Sequence, residues 1–98
     1  MALLSDTTQP ITANGDYDAV MQENFMDISI SGTWATGQMD IVKVCPISGT
    51  EIAVTGGAAI VADFTDMYHG AKGTIVRFVF SGATGGESIT ISTLPSRG

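Results

Sequence analysis

Basic residues are scarce in this chain: four Lys and Arg stand against ten Asp and Glu, a formal net charge of −6 over 98 residues. A nucleic-acid binder needs a basic face to displace counterions from phosphate, and an anionic bilayer attracts basic surfaces, so the balance argues against both nucleic acid and membrane as partners. Cysteine is limited to Cys45 and histidine to His69. The first excludes an intramolecular disulfide, and the two together are too few soft ligands for a structural zinc site. No apolar run is long enough for a membrane-spanning helix. Met1-Ala2-Leu3-Leu4-Ser5 has neither the basic segment nor the apolar stretch of a signal peptide, which predicts synthesis and retention in a cytoplasm.

What is present makes a folded β-domain. Hydrophobic residues reach 44% with only 14% charged, well clear of the composition of disordered chains. The length allows one domain, because two cores would each be too small to offset chain entropy. The apolar residues are largely β-branched or aromatic, and glycine clusters interrupt them at intervals of about ten residues, the pattern of an all-β sandwich or barrel. The expectation is a compact, jelly-roll-like β-sandwich of about six to eight short antiparallel strands. It spans residues 11–94, between an N-terminal arm (1–10) and a C-terminal tail (95–98).

Two-residue alternation places the strands. Phe25–Ser31 sets Met26, Ile28 and Ile30 on one face. Thr74–Ser81 sets Val76, Phe78 and Phe80 inward, with Ile75, Arg77 and Val79 opposite. Glu87–Thr93 returns with Ile89 and Ile91 inward, and the glycine-rich turn 81–86 joins these last two runs as a hairpin. Gln38–Cys45 is apolar on both faces, as a strand covered on both sides would be. Glu51–Thr55 is a short strand. Ala58–Phe64 reads as extended, with a short helix over Ala58–Ala62 as the competing assignment.

No catalytic constellation emerges. His69 lies in a stretch read as a loop, and no serine occupies a nucleophile elbow. Asp16, Asp18, Glu23 and Asp27 form an acidic cluster that reads either as a solvated loop or as a hard-cation site; the ligand order of a calcium loop is missing. Asp63, Asp66 and Glu51 give no recognisable pair for glycoside hydrolysis. Gly82-Ala83-Thr84-Gly85-Gly86 precedes a strand, whereas a phosphate loop opens a helix. Cys45 reads as a structural thiol. No cofactor and no enzymatic activity are expected.

Trp34, bracketed by Gly32 and Gly37, reads as core, with a loop-borne contact anchor or sugar-stacking ring as the alternative. Tyr68 and Tyr17 could serve likewise. At the N-terminus, apolar Leu3 and Leu4 precede the aperiodic Ser5–Pro10. This is either a frayed end or an apolar tip able to reach a neighbouring subunit.

The order of the pieces carries a resemblance. Ile11-Thr12-Ala13-Asn14-Gly15 leads to Ser29-Ile30-Ser31-Gly32-Thr33-Trp34, followed by Val42-Lys43-Val44, Ser48-Gly49-Thr50-Glu51-Ile52 and a Tyr68/Gly73 loop. Arg77-Phe78-Val79-Phe80-Ser81-Gly82-Ala83 and Ser88-Ile89-Thr90-Ile91-Ser92 close the series. In style this resembles the small β-sandwich virion proteins of tailed bacteriophages. The resemblance implies a structural part of the particle, assembled in the host cytoplasm: a capsid decoration (cement) protein that binds and stabilises the capsid lattice. Its partners would be the major capsid protein or another virion protein, contacted through Leu3, Leu4 and one sheet edge or loop end, and the protein itself would form a homo-oligomer. The alternative is a tail- or fibre-associated module that recognises host glycans through Trp34 and Tyr68.

Overall fold

The computed structural model describes residues 11–45, 47–54 and 56–97, with the main chain alone at residues 2–3. Strand alternation fixes the layers. Met26, Ile28 and Ile30 are buried along one face of β3 (Phe25–Thr33), and Val76, Phe78 and Phe80 along one face of β7 (Ile75–Ser81). Ile89 and Ile91 of β8 (Ser88–Ser96) and Met39 and Ile41 of β4 (Gln38–Val44) complete the same core. Burying these side chains is the main stabilising term, at about 1.5–3 kcal/mol each. The remaining strands are β1 (Ala2–Leu3), β2 (Gly15–Val20), β5 (Glu51–Ala53) and β6 (Phe64–His69).

The strands form two facing sheets. The larger has the order β1-β2-β7-β4-β5, the smaller β6-β3-β8. Every pairing is antiparallel except the two-residue β1, which lies parallel to β2 at Tyr17 and Asp18. From β2 onward the chain changes sheet at every connection but β4–β5. This crossing path is what the expected all-β, jelly-roll-like sandwich requires.

Several local expectations are corrected. The runs expected to form the closing hairpin, β7 and β8, lie in opposite sheets. Both edges of β7 are taken, by β2 and β4. The connection between them is a loop over 82–87, long enough to cross the roughly 10 Å between packed sheets, whereas the favoured hairpin turn has two residues. Gly15–Val20, read as part of an acidic loop, is strand β2. Tyr68 and His69, read as loop residues, end strand β6. Ala58–Asp63 is neither strand nor helix, and Phe64 opens β6: Ile60 makes a single bridge to Met39, and Ala59 sits at φ 55°. β8 runs on through Pro95 and Ser96, opposite Met26 and Phe25, past the boundary expected at residue 94.

One glycine is required by the crossing of strands. Gly32 pairs with Ile89 at φ +143°, and a Cβ there would stand 2.0 Å from the Ser88 carbonyl oxygen. No side chain fits without separating β3 from β8.

Candidate functional site

The smaller sheet stops at β6, and the larger one reaches β5 on the same flank, where residues of the two strands line one cleft. Cross-strand partners share a face of their sheet, so the register shows what this leaves open. Lys43 follows Met39 and Ile41 on the inner face of β4, and its partner on β5 is Ile52. On β6, Asp66 and Tyr68 oppose the buried Ile28 and Met26 and also point inward. In a closed sandwich these positions would be core. Here Ile52 is 57% exposed and Asp66 is exposed, while Lys43 is half-buried.

The gap is a cleft of about 540 Å³ lined by Lys43, Ile52, Val54, Asp66, Met67 and Tyr68. Its polar groups differ in their engagement. The Lys43 ammonium donates to the His69 carbonyl. Asp66 Oδ1 accepts the Met67 N–H at 2.7 Å. The Tyr68 hydroxyl is buried and has no hydrogen-bond partner among the described residues, in a residue only 7% exposed. Burial, with the Asp66 charge adding to it, pushes the Tyr68 phenol up to about 12. The cleft therefore offers a cation, an anion and an unused donor against an apolar wall, and each of β5 and β6 has a strand neighbour on one side only among the described residues.

The other residues singled out in the sequence are scattered. Trp34 is core, 8% exposed, and its indole N–H donates to Asp63 Oδ1 at 3.0 Å. The same oxygen accepts the Gly32 N–H at 3.1 Å, which ties the β3–β4 turn to the segment entering β6. Neither Trp34 nor Tyr68 presents a free ring face on which a sugar could stack. His69 is exposed, its ring 4.9 Å from that of Phe25. The Leu3 main chain pairs with β2 of its own sheet, and Leu4 lies outside the described residues.

The acidic cluster is not a solvated loop. Asp18, 2% exposed, forms a two-pronged ion pair with Arg77 on β7, and Arg77 Nη1 also donates to Glu51 Oε2 at 2.8 Å. Glu23 pairs with Arg97. Among the described residues no three His, Cys, Asp or Glu side chains converge where a metal ion could be held.

Two features had escaped the sequence reading. Glu87 is a buried carboxylate that accepts the N–H groups of Thr36, Thr84 and Gly85 at 2.9–3.1 Å and the hydroxyls of Thr36 and Thr84. Burial alone would raise its pKa; the backbone donors outweigh it and hold the group down at about 2. The Thr84-x-x-Glu87 spacing is the one local signal for this clamp, which fixes the β7–β8 loop on the β3–β4 turn. Cys45 is half-buried, and hydrogen bonds from the Ser48 hydroxyl and from the Ser48 and Ile47 backbone lower its thiol pKa. It is therefore more activated than the inert thiol expected. Comparison with protein families, with characterised proteins and with solved structures matches nothing to this chain.

Proposed function

We propose that this chain is a non-catalytic assembly protein that docks on another protein through the open β5/β6 flank. The assembly we assign to it is a tailed-bacteriophage particle, in which it acts as a capsid decoration protein that stabilises the lattice. The observation that carries the docking reading is the flank itself. Inward-facing Ile52 and the neighbouring Met67, 57% and 52% exposed, line a cleft between two strand edges. Proteins ordinarily cover or charge such edges, and partners add to them when they are left open. The phage assignment rests on the resemblance carried by Arg77–Ala83 and Ser88–Ser92. Burial of Trp34 and Tyr68 counts against the glycan-binding alternative.

The test is co-sedimentation of the purified chain with capsids stripped of loosely held proteins and, in parallel, with host cells. Saturable pelleting with capsids alone supports the decoration role. Pelleting with cells alone would replace it with host recognition, and pelleting with neither would remove the particle from the proposal.

A further inference from the structure

The two sheets are unequal on the β5/β6 flank, and the inequality has the shape of an absent strand. β6 provides six residues of edge whose outer side has no neighbour among the described residues. A strand laid beside it, about 4.8 Å away, would come to lie over Ile52 and Lys43 of the larger sheet. Every second side chain of that strand would point into the cleft, where Ile52 and Val54 form an apolar wall. Those side chains must be apolar to gain from burial there.

The polar groups select the rest of the occupant. The Tyr68 hydroxyl, buried beside the cleft without a partner among the described residues, is a donor suited to a main-chain carbonyl. A buried donor left unpaired is costly, so pairing it favours the occupied state. The Lys43 ammonium is already engaged by the His69 carbonyl, whereas Asp66 makes no ion pair among the described residues, and the whole chain carries −6. Charge complementarity therefore asks for a basic residue in the incoming segment, placed against Asp66.

Resting on the docking reading above, we infer that the cleft takes an extended segment of a partner protein, apolar at alternate positions and carrying one Lys or Arg, which adds as a strand to the free edge of β6. Main-chain hydrogen bonds to β6 supply affinity, and the cleft wall with Asp66 supplies sequence preference.

The probe is a displayed library of random octapeptides selected on the folded, full-length chain, followed by amide NMR mapping of an enriched peptide. Enrichment of alternating apolar sequences with a basic residue is expected, with shifts concentrated at residues 51–54 and 64–69. Ile52→Lys should weaken binding at least tenfold with an unchanged far-ultraviolet spectrum. Asp66→Lys should do the same and be rescued by exchanging the peptide's basic residue for Glu. Tyr68→Phe should weaken binding severalfold without altering the preference. Enrichment of unrelated sequences, shifts elsewhere, indifference to Ile52→Lys, or occupation of the cleft by a second copy of the chain would each overturn the inference. The particle role fails separately: saturable pelleting of wild type and Ile52→Lys alike with capsids would sink the cleft but keep the capsid. Peptide binding in the cleft without capsid pelleting would do the reverse.

Discussion

Arg77 and Asp18 stand directly opposite each other on neighbouring strands, with Arg77 Nε 2.9 Å from Asp18 Oδ1 and Nη2 3.3 Å from Oδ2. The pair sits on the outer face of the larger sheet, yet Asp18 is buried. Through Glu51 the same guanidinium reaches across β4 to β5. One arginine thus links the strand at the N-terminal side of the sheet to the strand that forms one wall of the cleft. Removing one member of a buried pair leaves the other charge uncompensated, which costs about 3–5 kcal/mol. Arg77→Met should lower stability by about that amount in urea unfolding. The double variant Asp18→Leu/Arg77→Met should recover most of the loss, because a well-packed apolar pair of similar volume is often neutral.

Acid should loosen the loops through Glu87. Its folded pKa, about 2, lies below the ordinary value of 4.5. A depressed carboxylate contributes stability that is fully present above the ordinary value and is lost as pH falls through the folded one. The contribution therefore disappears between about pH 4.5 and about 2. Glu87→Gln should be less stable than wild type at pH 7, and urea midpoints of the two should converge toward pH 2. Parallel pH profiles would show that the clamp does not depend on the charge.

Cys45 should be alkylated by iodoacetamide with a pH midpoint below that of an ordinary thiol, because Ser48 and two backbone N–H groups stabilise its thiolate. Ser48→Ala should move the midpoint up. An unchanged midpoint in that variant would leave the backbone donors as the whole cause.

Tyr68→Phe should leave the free chain as stable as wild type or more so. It removes a buried hydroxyl that has no partner among the described residues and keeps the ring packed on the core. Thermal unfolding reads this directly; a marked loss of stability would show that the hydroxyl is engaged after all.

The core was legible in the sequence where alternation was uninterrupted. Met26/Ile28/Ile30, Val76/Phe78/Phe80 and Ile89/Ile91 are inward as their spacing demands. Alternation says which face is buried but not which sheet receives the strand. β7 and β8 are neighbours in the chain, and only the occupancy of both β7 edges sends β8 to the other sheet. β2 was hidden because Asp16 and Asp18 are poor strand formers, and Asp18 is accommodated by an arginine 59 residues away. β6 was hidden for a related reason. Asp66 occupies an inward position that would be apolar in a covered strand, and the open cleft is what allows it. The feature that obscured the element in the sequence is thus the feature that marks the site. Trp34 was legible as core from the size and apolar surface of its side chain, but its Asp63 partner, 29 residues on, was not.

The most direct measurement is amide hydrogen exchange on the full chain with and without an excess of stripped capsids. Docking through the open flank predicts new protection concentrated at residues 51–54 and 64–69, with the β1–β2 edge unchanged. Protection confined to the β1–β2 edge, or none at either edge despite saturable pelleting, would contradict it.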